Sequence, residues 1–178
     1  ELSEEDLMHL HFAMGNVLTK EKKYDEAFRH FEDGNYARKS IFNYDIKNDQ
    51  TMFSTLEEKI NNIPNVNIST KDDSVTPIFV LGMMRSGTTL TEQIISSHVD
   101  VTPRGELEFM NKAVRRNINP NEEITEEGIF KVRESYLDDI NLLNVNTKYF
   151  TDKMPNNFRW SFLIREAFPD AKIVHTKR

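Results

Sequence analysis

The chain has 178 residues, of which 38% are hydrophobic and 29% charged, and its mean hydropathy is -0.61. This length allows one medium domain, or a small helical module followed by part of a larger domain. No stretch approaches the roughly 20 apolar residues of a membrane span, so the composition is that of a soluble globular protein. The absence of cysteine excludes disulfides, thiolate zinc sites and cysteine nucleophiles, and it favours a cytoplasmic location.

The net charge of -6 comes from the first part of the chain. Residues 1–75 hold 9 basic and 15 acidic side chains, whereas residues 76–178 hold 14 of each. An acidic chain without a basic stripe is a poor nucleic-acid binder, although a local cluster of Arg and Lys could still hold a small anion. The first residue is Glu1 rather than methionine, so we expect a piece of something longer, which a targeting segment or membrane anchor could precede.

Residues 7–39 predict two amphipathic helices joined by a turn at residues 20–23, because apolar residues recur at helical spacing on both sides. The small and aromatic residues of this segment fall where a tetratricopeptide repeat places its packing residues: Gly15, Tyr24, Ala27, Phe31 and Gly34. The segment therefore resembles one such repeat, although Lys39 stands where the consensus has proline. The alternative is an ordinary helical hairpin. A lone repeat cannot bury its apolar face, so the resemblance implies lost neighbouring repeats or packing against the next domain. It also implies a peptide or protein contact through the repeat.

One further helix is predicted at residues 54–60, and the following segment is rich in Asn, Asp, Ser and Pro, as linkers often are. We therefore divide the chain into a helical module at residues 1–62, a linker at 63–75 and a second domain at 76–178.

The second domain alternates strands with helices. Strands are predicted at residues 78–81, 149–151 and 172–176, and helices from residue 88 and at 106–116, 125–143 and 158–168. This alternation predicts a three-layer α/β fold with a parallel sheet. In such sheets ligands bind at the carboxyl ends of the strands, and charged loops follow those ends here.

The loop of residues 82–89 has the spacing of a phosphate-binding loop, with two glycines five positions apart between a buried strand and a helix start. It lacks the nucleotide triphosphatase pattern, because Thr88 stands where that pattern needs Lys. The positive charge lies inside the loop at Arg85, whose planar guanidinium can grip two oxygens of a phosphate or sulfate. Backbone amides and the helix dipole favour the same anion, with no metal required. The alternative is a helix cap rich in Ser and Thr.

The string Arg-Ser-Gly-Thr-Thr resembles the 5'-phosphosulfate loop of sulfotransferases that use 3'-phosphoadenosine 5'-phosphosulfate (PAPS). This resemblance covers residues 77–178. It implies PAPS as co-substrate, a P-loop-like fold, and a set of residues that bind the phosphosulfate: Arg85, Ser86, Gly87, Thr88 and Thr89.

The Arg-Gly-Glu string at residues 104–106 is similar to an acidic motif of tyrosylprotein sulfotransferases and of bacterial tetratricopeptide-containing sulfotransferases. The resemblance implies that Glu106 is the catalytic base, because an attacking hydroxyl must lose its proton. The alternative is a solvated glutamate in the first turn of the predicted helix. Glu108 is the rival base, but on that helix it would lie about 200° round from Glu106.

Two further motifs match the same families. The Asp-Lys-Met-Pro-Asn-Asn string at residues 152–157 implies that Lys153, together with Arg85, steadies the transferring group; the alternative is a loop lysine paired with Asp152. Arg178 matches the arginine of the 3'-phosphate site. The family's serine beyond it would follow the last residue, so we expect only the amino-terminal part of the domain here.

No His-rich or carboxylate-rich spacing predicts a metal site. The leading hypothesis is therefore a PAPS-dependent sulfotransferase acting on an acceptor hydroxyl, with protein tyrosine as the first acceptor and a sugar as the second. The rivals are a divergent phosphate-loop kinase, which would need magnesium and a nucleoside triphosphate, and a tetratricopeptide scaffold carrying an inactive domain.

Overall fold

The computed structural model describes residues 2–70 and 75–177. The chain divides into two compact units, Glu1–Phe53 and Ser54–Arg178. Within the described residues a sheet of four parallel strands is combined with seven α-helices, which confirms the predicted α/β fold class.

The first unit contains a helical hairpin formed by α1 (Glu4–Lys20) and α2 (Tyr24–Ile41). Small residues let the two helices approach closely. A methyl group on Gly15 would lie 2.6 Å from the Phe31 ring, and Ala27 is only 2% exposed. The hairpin agrees with the two helices predicted for residues 7–39, and its assignment to the tetratricopeptide class stays a prediction.

The third helix, α3 (Ile46–Asn62), begins well before the predicted start at residue 54. Residues 71–74 of the predicted linker lie outside the described residues. On either side of them, Val66 and Val75 are buried in the hydrophobic core of the second unit. These apolar residues of the predicted linker therefore form part of the core of the second unit.

The sheet has the strand order β2-β3-β1-β4, with every neighbouring pair parallel. Its strands are β1 (Thr76–Gly82), β2 (Val101–Pro103), β3 (Tyr149–Asp152) and β4 (Lys172–Thr176). Six consecutive residues of β1 are buried, so both faces of the sheet are covered at its centre. The register places Phe79 opposite Asp152 and Gly82 opposite Thr176, so these three strands end along one edge.

The remaining helices are α4 (Thr88–Ile95), α5 (Phe109–Asn117), α6 (Glu126–Asn141) and α7 (Ser161–Ala167). Three aromatic rings form the centre of the core, with the Tyr136 and Phe168 centroids 5.7 and 6.0 Å from that of Phe79. The Arg133 guanidinium lies 5.2 Å from the centroid of the Phe168 ring and donates to the Ala167 carbonyl. A buried cation thus closes one side of the core.

Two further predicted helices differ from the structure, and one strand was not predicted. The helix predicted at 106–116 begins only at Phe109, so Glu106 precedes it. The helix predicted at 158–168 is a 3₁₀ helix, Pro155–Trp160, followed by α7. Strand β2 was missed, because three residues that end in proline give no usable alternation.

Candidate active site

The anion loop, residues 82–89, connects β1 to α4 through three residues with positive φ. Gly82 (φ 144°) must be glycine, because a methyl group there would lie 2.4 Å from the Thr176 carbonyl oxygen. Gly87 (φ 93°) caps the start of α4. Arg85 adopts the left-handed conformation at φ 66°, which costs a non-glycine residue roughly 1–2 kcal/mol. Such an outlier indicates a loop whose shape serves a function.

Contacts with β4 hold the anion loop in place. The Ser86 hydroxyl donates to the Met83 carbonyl at 2.6 Å, and its oxygen lies 2.6 Å from the hydroxyl oxygen of Thr176. Arg85 and Thr89 are exposed, whereas Thr88 is buried. The exposed guanidinium therefore stands on a backbone that is fixed beneath it.

The start of α4 adds donors to the anion loop. The first α-helical hydrogen bond runs from the Thr91 amide to the Gly87 carbonyl at 3.0 Å. In an α-helix the amides before this bond have no partner inside the helix, and the dipole makes this end positive. The amides of Thr88 and Thr89 can thus bind an anion together with Arg85.

Glu106 and Lys153 lie together although they are distant in sequence. The Lys153 ammonium donates to a Glu106 carboxylate oxygen at 2.6 Å. The Lys153 side chain is only 8% exposed, whereas the Glu106 side chain is 56% exposed. Lys153 is therefore held in the interior, whereas the Glu106 carboxylate is accessible from the solvent. The alternative pairing of Lys153 with Asp152 is not the one that forms.

Backbone contacts hold residues 104–106, which we call the Glu106 segment. Gly105 has φ 64°, its amide donates to Glu92, and its carbonyl accepts from the Lys153 amide at 2.8 Å. The Arg104 guanidinium donates to the Leu143 carbonyl at 2.7 Å. These tertiary bonds hold the segment outside α5, which begins at Phe109. The angle of about 200° between Glu106 and Glu108, which assumed that both lie on one helix, therefore does not apply.

Glu92 and Thr151 were missed by the sequence analysis. Both are buried, and a Glu92 carboxyl oxygen accepts from the Thr151 hydroxyl at 2.6 Å. The available signal was an acidic residue one turn after Thr88, on the same face of a helix that otherwise buries little. That spacing alone predicts an inward carboxyl group without naming its partners.

Asp152, next to Lys153, is completely buried, and its carboxyl group accepts from the Tyr136 hydroxyl at 3.0 Å. Burial raises the pKa of Asp152 to about 7, although the hydrogen bond from Tyr136 acts in the opposite direction. Burial also raises the pKa of Tyr136 well above its usual value. The Asp152 carboxyl group therefore gains or loses its proton near neutral pH, at the position that precedes Lys153.

The carboxyl edge of the sheet thus collects most of the predicted site residues. The anion loop follows β1, the Glu106 segment follows β2, and Lys153 follows β3. Among the hydrogen bonds and ion pairs of the described residues, none joins the anion loop directly to the Glu106–Lys153 pair. Arg178, predicted to bind the 3'-phosphate, lies outside the described residues.

Within residues 2–70 and 75–177, no group of three or more His, Asp or Glu side chains could hold a metal ion. In the same ranges, no helix has the length and apolarity that crossing a membrane requires.

A positive-φ loop that carries an exposed arginine between a buried central strand and a helix, with a carboxylate–lysine pair at neighbouring strand ends, is typical of α/β proteins of the phosphate-loop class. Comparison with known proteins makes this more specific. A family model described as "Sulfotransferase family" matches residues 77–178. The chain belongs to the sulfotransferase family.

A curated relative extends the similarity toward the amino terminus. An "Uncharacterized protein" of Aquifex aeolicus (strain VF5) is 37% identical over an alignment of 182 positions, which covers 94% of this chain and 24% of the relative. The chain therefore spans about a quarter of that relative's length. No solved structure matches the chain.

Proposed function

We propose that the protein transfers the sulfonate of PAPS to an acceptor hydroxyl, with protein tyrosine as the first candidate acceptor. The observation that carries this proposal is the anion loop itself, in which Arg85 stands in a left-handed turn at the start of α4. Membership of the sulfotransferase family supports the reaction class.

The anion loop is proposed to hold the 5'-phosphosulfate. Arg85 contributes a two-pronged cation, and the amides at the start of α4 contribute neutral donors. Thr88 stands where a triphosphatase loop has Lys, so the loop has no lysine for terminal phosphates. Arg178 is proposed to bind the 3'-phosphate of the same nucleotide, and no metal is needed for either contact.

The Glu106–Lys153 pair supplies the two remaining roles. As the acceptor oxygen bonds to sulfur, Glu106 takes the proton of the hydroxyl. The bond between sulfur and the phosphate oxygen breaks, and the electron pair stays on 3',5'-adenosine bisphosphate. Lys153 and Arg85 stabilise the negative charge that develops on that oxygen. The 2.6 Å contact between Lys153 and Glu106 supports these two roles, because it places the base and the cation side by side.

We propose as the acceptor site a cleft of about 190 Å³, which Met154, the sequence neighbour of Lys153, helps to line. Its other lining residues include Trp160, Arg115 and Glu108, whereas Glu106 and Lys153 do not line it. The Trp160 ring suits contact with either a phenol ring or a sugar ring. Tyrosyl and sugar hydroxyls are therefore the two acceptors to test.

The test is sulfonate transfer from PAPS by the purified protein to a tyrosyl peptide and, in a second reaction, to an unsulfated glycosaminoglycan. Mass spectrometry should show the gain of one SO₃ group on one acceptor, with or without magnesium. A third reaction replaces PAPS with ATP and Mg²⁺. Transfer of phosphate in that reaction, with no sulfonate transfer in the other two, would contradict the proposal and favour the kinase.

A further inference from the structure

Glu92 occupies an unusual place for an acidic side chain. It lies in the middle of α4, the helix that begins at the anion loop, and it is only 7% exposed. A buried carboxyl group is costly unless hydrogen bonds satisfy it. Glu92 meets this condition through one oxygen, which accepts from the Gly105 amide at 2.9 Å and from the Thr151 hydroxyl at 2.6 Å.

The Thr151 hydroxyl extends this contact to a second point of the Glu106 segment. Its oxygen accepts from the Arg104 amide at 3.3 Å while its proton is given to Glu92. Two successive amides of the segment are therefore tied, directly or through one hydroxyl, to a single carboxyl oxygen. The Gly105 carbonyl is held from the other side by the Lys153 amide.

We infer that Glu92 is a positioning residue, which fixes the Glu106 segment to the helix that starts at the anion loop. This inference rests on the proposed function for its catalytic meaning. Glu106 directly follows Gly105, whose amide is bonded to Glu92, so this bond fixes the position of the base. Glu92 touches neither nucleotide nor acceptor in this account. It acts by tying the base to the phosphosulfate site.

The geometry distinguishes positioning from general stabilisation. Thr88 and Glu92 lie one turn apart on the buried face of α4, so the helix is anchored at both places. Loss of the Glu92 carboxyl group releases the Glu106 segment, while the hydrogen bond between the Ser86 and Thr176 hydroxyls remains to hold the anion loop. Acceptor chemistry should therefore suffer more than nucleotide binding.

The first experiment is hydrogen exchange on the purified protein without ligand, comparing the parent with Glu92→Ala, Glu92→Gln and Gln93→Ala. Gln93 is exposed on the same helix and serves as the matched control. Glu92→Ala should speed exchange of the Gly105 amide about tenfold, because its acceptor is lost, and exchange of the Arg104 amide as well, because its acceptor, the Thr151 hydroxyl, loses the carboxylate that orients it. Glu92→Gln should exchange like the parent, since its amide oxygen can accept the same two bonds.

Two results of this experiment would overturn the inference. One is unchanged exchange at Arg104 and Gly105 in Glu92→Ala. The other is equally faster exchange throughout the second unit, which would mean general loss of stability. If Glu92→Ala does not fold, Thr151→Val takes its place and should release the Arg104 amide alone.

The second experiment separates turnover from binding. With PAPS and the tyrosyl peptide, Glu92→Ala should lower kcat about 100-fold, the order of effect expected for small misplacement of a catalytic group. Its dissociation constant for 3',5'-adenosine bisphosphate should stay within about twofold of the parent value, and Glu92→Gln should restore kcat. Unchanged kcat in Glu92→Ala, or loss of nucleotide binding equal to the loss of kcat, would overturn the positioning role. If the parent binds no nucleotide and transfers nothing, the proposed function fails, while the exchange experiment still decides whether Glu92 holds the segment.

Discussion

The anion loop and the Glu106 segment are held in place by different means. The anion loop is shaped by its own backbone, through positive φ at Gly82, Arg85 and Gly87. The Glu106 segment has a single positive φ, at Gly105, and side chains and amides from α4 and β3 fix it. The shape of the anion loop is thus set by its own backbone and secured by Thr176 of β4, whereas the position of the Glu106 segment depends on Glu92, Thr151 and Lys153.

This difference suggests a division of labour that substitutions can test. The backbone amides of the anion loop are suited to binding the phosphosulfate group. The segment places a single base, for which small displacements matter most. Changes in the segment should therefore act on turnover and changes in the loop backbone on binding or folding, whereas Arg85 should affect both.

The largest expected effect is on turnover. Glu106→Gln should lower kcat by about 10³-fold, because it removes a general base while keeping the shape of the side chain. Nucleotide affinity should be nearly unchanged, as measured by calorimetry beside steady-state kinetics. Glu134→Gln, an exposed change on α6, is the control. Loss of turnover in Glu108→Gln but not in Glu106→Gln would assign the base to Glu108 instead.

The next effect concerns stability as a function of pH. Because the pKa of Asp152 is raised to about 7 in the folded protein, the native state binds a proton that the unfolded chain has lost above pH about 4. The free energy of unfolding should therefore fall as pH rises from about 4 to about 7 and then level off.

Asp152→Asn should remove this slope. Relative to the parent, it should gain up to about 4 kcal/mol above pH 7 and nothing below pH 4. Urea unfolding at several pH values measures the difference, with exposed Asp138→Asn as the control. Parallel pH profiles for the parent and Asp152→Asn would contradict a raised pKa at this buried position.

Two glycine substitutions compare the backbones of the two regions. Gly82→Ala should destabilise by about 3 kcal/mol or more, because its methyl group would meet the Thr176 carbonyl and its φ is unfavourable. Gly105→Ala should cost only about 1 kcal/mol, since its methyl group would enter open space and only φ is strained. Thermal unfolding measures both. Equal costs would contradict the close approach of Gly82 to Thr176, which Gly105 lacks.

The same distinction explains what could be predicted from the sequence. The strand before residue 82, the two glycines of the loop and the helix from Thr88 are local signals, and the structure has each of them. Whether Arg85 to Thr89 bind a phosphosulfate stays a prediction. Glu106 and Lys153 were chosen through family motifs, which gave no distance between them; the structure adds their 2.6 Å contact.

The rest required tertiary information. The helix predicted from residue 106 begins only at Phe109, and bonds from Gly105 to Glu92 and Lys153 hold the preceding backbone outside α5. Strand β2 consists of three residues that pair with β3, and their own sequence contains no signal that predicts this pairing. Glu92 has no motif that names its role, since its partners lie 13 and 59 residues away.

The most direct test of the account is calorimetric titration of the purified protein with 3',5'-adenosine bisphosphate, with and without magnesium, beside Arg85→Ala. The account predicts one nucleotide bound per chain, no dependence on magnesium, and affinity at least about tenfold weaker in Arg85→Ala, because a two-pronged charge-assisted contact is lost. Absence of binding by the parent, or equal binding by Arg85→Ala, would contradict it.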